Sequence, residues 1–160
     1  MGLDAKQLLE LIIEPTLREI GLYSLPASQL VLATGIQESK LQYVKQLGGG
    51  PALGIFQCEP ATHDDYWKNY IGYHSELRDS LILMTGTPMP ESKRLVWDLK
   101  YAAAMCRVHY RRIKAPLPAA HDLDAQAAYW KRYYNTIHGA GTAAHFINAV
   151  RASSVKHLWT

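Results

Sequence analysis

Residues 35–62 read GIQESKLQYVKQLGGGPALGIFQCEPAT, and the rest of the chain is understood by working outward from them. Upstream, Leu30, Val31, Leu32, Ala33 and Ile36 form an apolar helical run that ends on one carboxylate, Glu38, followed by Ser39. Gly48, Gly49, Gly50 and Pro51 then make a loop. Beyond it an apolar piece, residues 53–58, carries the amide Gln57, is followed by Glu59, and gives way to a helix at Pro60. An acid at a helix end, with a glycine-rich turn folding a polar amide back towards it, is a way to build a cleft around that acid.

The bulk properties set limits. A chain of 160 residues is expected to form one domain, residues 1–160, with a core that needs no staples. Hydrophobic residues make up 48% and charged residues 19%, the balance of an ordinary globule. The net charge of +3 would help on an anionic polymer but is too small to argue for nucleic acid. The two cysteines, Cys58 and Cys106, sit in apolar segments; they could pair, but buried free thiols are the commoner reading. The seven histidines lack ligand-like spacing, so neither a metal nor another cofactor is expected; His138 and His145, seven apart, read as ordinary histidines. The N-terminus is charged too early for a secretory signal. No segment approaches the roughly 20 apolar residues of a membrane span.

Local signals predict a mainly helical chain. Residues 4–20 carry Leu8, Leu9, Ile12, Ile13, Leu17 and Ile20 on one face, with a kink expected at Pro15 and a stop at Gly21. A second helix opens around Pro26, capped by Ser28, and runs to Glu38 or just beyond. Pro60 starts a third, with Asp64 and Asp65 near its positive end. Residues 74–84 form another, stopped by Gly86, Pro88 and Pro90. The longest run is expected over residues 91–114. Asp122 or Asp124 caps the next helix, which ends near Tyr133, Tyr134 and Asn135. A last helix follows Gly139 and Gly141 and ends near Ala152.

Three motifs in order resemble the lysozyme-like superfamily, and within it the lytic transglycosylases that cleave peptidoglycan. They are Glu38-Ser39 at a helix end, then Gly54, Ile55, Phe56 and Gln57 with Pro60 and Thr62 behind them, then Tyr134-Asn135. The resemblance implies an α+β lysozyme-like fold, a helical bundle with a small β or loop element beside the cleft, drawn in part from residues 53–58. It implies Glu38 as the acid and then base that cuts the MurNAc–GlcNAc β-1,4 bond. Tyr134 would touch Glu38, with Tyr133 as the alternative register. Ser39, Gln57 and Asn135 would serve substrate binding. Peptidoglycan glycan strands and other virion proteins are the implied partners. The missing export signal fits a phage virion or lysis protein made in the host cytoplasm and acting at the cell wall.

Three departures from the family pattern keep alternatives open. The loop Ser of many transglycosylases is absent around Gln46, Leu47 and Gly48. The Tyr-Asn motif is followed by a two-residue expansion before Gly139. Glu59 replaces a Met, and it is either a helix-start acid or a second carboxylate in the cleft. With Glu59 activating water, the enzyme would be a hydrolysing lysozyme, inverting if the carboxyls stand roughly 6.5–9.5 Å apart. A reading of another class is an idle structural virion protein that kept the fold. The tryptophans Trp67, Trp97, Trp130 and Trp159 are read as core rather than assigned to substrate.

Overall fold

A computed structural model describes residues 2–135 and 139–160. The chain begins with α1 (Ala5–Leu8), capped by Asp4, whose carboxylate accepts from the Gln7 amide at 2.9 Å. A wide π-turn, Leu9–Ile13, leads into α2 (Glu14–Glu19). Pro15 explains the widening. It has no N–H for the Leu11 carbonyl, and its ring would press on that carbonyl in a regular helix. The expected kink is therefore an over-wide turn just before the proline. Gly21, at φ +72°, ends the segment.

The next helix, α3 (Leu25–Ser39), is buried on all sides from Ala27 to Ile36. Its cap is Ser24, which accepts from the Ala27 amide at 3.1 Å. The expected cap, Ser28, lies a turn further in and donates to the Leu25 carbonyl. Pro26 in the first turn accounts for the difference, since a proline there needs the helix to begin before it. Lys40 and Leu41 then take left-handed conformations, φ 52° and 57°, and reverse the chain sharply. Ser39 holds this reversal by donating to the Gly35 carbonyl and accepting from the Leu41 amide.

Residues 40–59 fold back along the end of α3. The small β element expected here is reduced, among the described residues, to two isolated bridges through Leu53, one to Lys45 and one to Cys58. Gly35 gives the returning chain room, because a Cβ there would sit 3.0 Å from the Phe56 ring. Gly54 is tighter: at φ +76°, its Cβ would meet the Leu95 carbonyl oxygen at 2.4 Å.

Helix α4 (Pro60–Asn69) starts at the proline as read from the sequence, but Asp64 and Asp65 lie beyond its first turn. Asp65 instead pairs with Arg112 at 3.0 Å. Helix α5 (Ser75–Thr85) stops on Gly86. The run expected over 91–114 is two helices, α6 (Arg94–Trp97) and α7 (Leu99–Arg111). Asp98 breaks it. Its backbone is extended, one carboxylate oxygen caps the Tyr101 amide at 3.0 Å, and the other takes Arg94 at 2.7 Å. The longest described helix is α3 instead.

Residues 101–110 of α7 are all buried, which makes this the axis on which α2, α3, α4, α5 and α6 pack. Helix α8 (Leu123–Trp130) is capped by Asp122 and widens into a second π-turn, Lys131–Asn135. Helix α9 (Ala143–Arg151) begins at Thr142, which caps the His145 amide. The chain closes with a 3₁₀ turn, Lys156–Trp159, tied inward by a buried amide network. Trp159 donates to Gln126, Gln126 donates to Gln29, and Gln29 donates to the Leu158 carbonyl.

The architecture is thus mainly α, around one contiguous apolar core. Cys58 and Cys106 are buried and unbonded to each other. Among the described residues no helix is long and apolar enough to cross a membrane. His138 and the interior of the expansion before Gly139 lie outside the described residues.

The Gly54 contact makes a sharp test. Gly54→Ala should cost about 2–4 kcal/mol, from left-handed strain plus the clash with Leu95. Gly21→Ala, also left-handed but with nothing within 4 Å, should cost only about 1 kcal/mol. Urea unfolding of the two variants measures the difference.

Candidate functional site

Glu38 lies in the last turn of α3, where the buried helix meets the returning loop. Its carboxyl opens into a cleft of about 470 Å³. The loop supplies Gln46, Gln57 and Cys58 to one wall, while Glu59 and Thr62 come from the start of α4. The opposite wall carries Tyr134, Asn135 and Gly139, with Tyr66 and His109 also exposed to the hollow. Of the six residues singled out in the sequence, Glu38, Gln57, Glu59, Tyr134 and Asn135 line this one cavity. Ser39 does not. It is buried beside Glu38, and its hydroxyl is used up inside the chain reversal.

Burial dominates the chemistry of Glu38. Desolvation pushes its carboxyl from the ordinary 4.5 up to about 7, against a smaller opposing effect from one hydrogen bond. That bond comes from Trp130, whose indole N–H donates to Oε1 at 2.9 Å. Trp130 is fully buried in α8 and packs against Phe146 of α9, ring centres 5.3 Å apart. Gly141 makes the space, since a Cβ there would stand 2.6 Å from the indole. The sequence reading left Trp130 in the core. Its N–H was a partner that periodicity alone does not reveal, although it lies one helical turn before Tyr134.

Tyr134 differs from its expected role. Its hydroxyl donates to the Phe56 carbonyl at 2.5 Å, so among the described contacts it ties the two walls together and leaves Glu38 to Trp130. Burial keeps the phenol protonated by pushing its pKa well up. Of the two candidate registers, Tyr134 lines the cleft and Tyr133 offers its carbonyl to His109 at 2.6 Å. That bond fixes the histidine's tautomer. Nε2 must carry the hydrogen, so Nδ1 accepts from the Tyr66 hydroxyl at 2.6 Å. Desolvation holds His109 down at about 4, and it is neutral at physiological pH.

The polar side chains of the cleft are also pre-set. Gln57 adopts φ +53° and donates its amide to the Gly54 carbonyl, which fixes its direction. Asn135 accepts from Lys131 Nζ at 2.7 Å, and the same ammonium donates to the Gly139 carbonyl at 3.0 Å. Glu59 is exposed at the cleft mouth and ends the chain segment that caps α4. Among the described residues no Lys or Arg lines the cavity. Nor do the described residues gather three or more His, Cys, Asp or Glu side chains as a metal shell would need.

A hollow of about 550 Å³ between the N-terminus, residues 40–42 and the end of α9 is larger. Its one described carboxylate, Asp4, is committed to capping α1, so it lacks the chemical asset of the Glu38 cleft. What the Glu38 site can do is clear from its parts. It holds a carboxylic acid near half protonation at neutral pH, facing fixed amides and hydroxyls in a partly dry groove. Compared with protein-family models, with curated proteins and with solved structures, the chain matches none.

Glu38 carries a stability cost that can be measured. Its folded pKa exceeds the unfolded value, so the folded state holds the extra proton between about 4.5 and about 7. Stability from this group is complete below that window and is lost as pH rises through it. The loss amounts to roughly 3 kcal/mol at most. Glu38→Gln should therefore raise the melting temperature at pH 8 and change it little at pH 4.5. Calorimetry at the two pH values gives the answer.

Proposed function

We propose that this protein cleaves peptidoglycan as a lytic transglycosylase, with Glu38 as the single acid and base. The observation that carries this is the carboxyl of Glu38, desolvated to about 7 and opening into a cleft shared with Gln57, Tyr134 and Asn135. A poor leaving group such as a bridging sugar oxygen needs a proton delivered near neutral pH, and an ordinary carboxylate does not hold one. The cleft's described lining also favours a neutral, amide-bearing polysaccharide over a phosphate ester, because it offers amides and hydroxyls without a lining guanidinium or ammonium.

The reaction proceeds in balance. Glu38 donates its proton to the glycosidic oxygen as the C1–O bond breaks. The resulting carboxylate accepts the proton of the muramic acid C6 hydroxyl, whose oxygen bonds to C1. A 1,6-anhydro ring forms, no water is consumed, and Glu38 is again protonated. Gln57 and Asn135, both held by intramolecular hydrogen bonds, orient the N-acetyl groups. Tyr134 keeps the two walls at a fixed spacing.

One observation favours a second reading. Glu59 is exposed and lines the same cleft, so it is a second carboxylate that would activate water if the enzyme were a hydrolysing lysozyme. The natural setting under either reading is a phage virion or lysis protein acting on the host wall, with glycan strands as the partner.

Digestion of purified cell wall, with the muropeptides weighed, tests the proposal. Wild-type protein should release anhydromuropeptides, one water lighter than hydrolysis products, and Glu38→Gln should lose about 10²–10⁴-fold in rate. The rate should fall as pH rises through about 7, because the acid form of Glu38 is required. Reducing-end products lost in both Glu38→Gln and Glu59→Gln would establish the hydrolase. Folded protein that cleaves no wall would return the chain to the structural class.

A further inference from the structure

An indole N–H is a donor without an acceptor face, so it can meet a carboxyl group only at a lone pair. Trp130 Nε1 stands 2.9 Å from Oε1 of Glu38, and no other described hydrogen bond engages the carboxyl. When Glu38 is neutral, its carbonyl oxygen is a better acceptor than its hydroxyl oxygen, so an indole donor on Oε1 favours the proton on Oε2. We propose that Trp130 is the positioning residue of Glu38: by occupying Oε1 it places the acidic proton on Oε2, the oxygen that no described hydrogen bond engages. The consequence for catalysis rests on the reading of Glu38 as the acid, whereas the placement of the proton rests on the geometry alone.

The surroundings make Trp130 suited to this. Its ring is fully buried between α8 and α9, pressed on Phe146 and admitted by Gly141, so the N–H has one direction. A rigid donor on one oxygen fixes the carboxyl plane as well as the proton's address. Transfer then starts from the oxygen free of the indole, without a rotation of the acid. The same bond strengthens when Glu38 is ionised, since the acceptor becomes charged. It therefore also steadies the carboxylate that must take the C6 proton back.

Other groups near Glu38 do not supply this function. On α7, His109 is neutral and committed to Tyr66 and Tyr133, while burial pushes the Cys106 thiol and the Tyr110 phenol far up. Across the cleft, Tyr134 is committed to Phe56, and burial pushes the Cys58 thiol to about 11. Glu59 is the remaining acid facing the cavity, and it serves as a control.

Nitrogen–proton NMR of the four indoles reads the coupling directly. Between pH 5 and 9, one indole cross-peak should shift with a midpoint near 7. The shift should persist in Glu59→Gln and vanish in Glu38→Gln. Trp130→Phe keeps an aromatic ring in the pocket and removes the donor. Its kcat should fall about tenfold with KM within about twofold. Its alkaline limb should move to higher pH, because the bond lowers the acid's pKa. An indole spectrum in which no titration depends on Glu38 overturns the proposal whether or not Trp130→Phe folds. So does a Trp130→Phe enzyme with wild-type kcat and pH profile. A cross-peak that titrates with Glu38 in a protein that cleaves no wall upholds the proton placement and removes the catalytic reading.

Discussion

Taking a carboxyl group out of water is the constraint from which the rest of this structure follows. Helix α3 is enclosed along most of its length, so the chain has no exposed position for an acid until the helix ends. Glu38 comes in that last turn, close enough to the core to lose most of its hydration. It also sits at the negative end of the helix, where the unpaired carbonyls disfavour an anion. Ser39 and the left-handed pair Lys40 and Leu41 then bend the chain away at once, and the carboxyl remains at the base of a groove.

Donors from one side join that groove's walls and brace one of them. Trp130 gives its N–H to Glu38, Tyr134 gives its hydroxyl to Phe56, and Lys131 holds Asn135 and Gly139. All three lie on α8 or on the π-turn that extends it. The wide turn has a geometric role. By departing from regular helical spacing, it sends the Tyr133 carbonyl to His109 on α7 while Tyr134 faces the cleft.

Much of this was legible in the residues, and the gaps have identifiable causes. Pro15, Gly21, Pro60, Gly86 and Asp122 act locally, through the backbone, and their elements lie where local rules put them. Glu38, Gln57, Tyr134 and Asn135 were found by motif order and do converge on one cavity. The break at Asp98 was hidden because an apolar stripe runs through it, and only the Arg94 pair and the cap on Tyr101 show why the helix restarts. Ser39 and Tyr134 kept their positions but not their expected contacts, since hydroxyls choose partners by tertiary distance. Trp130 was read as packing, and it packs; its N–H acts as well. That second role depends on how α8 lies across the end of α3, which no spacing rule encodes.

The way the acid is tuned bears on what kind of site this is. A raised carboxyl can come from a neighbouring anion or from loss of water, and the two behave differently. Here the dominant cause is loss of water, with one neutral donor opposing it. His109, which lines the cleft from α7, is held neutral by its own burial, and the described cleft lining carries no Lys or Arg. No described cation in the lining therefore biases Glu38 towards its ionised form as it gives up and regains its proton. Apart from Glu59 at its edge, the described groove presents the same amides and hydroxyls to a ligand in either state. A site built this way suits chemistry in which one group acts as acid and then base on an uncharged chain. It would serve poorly where negative charge must be neutralised in the transition state, as in phosphoryl transfer.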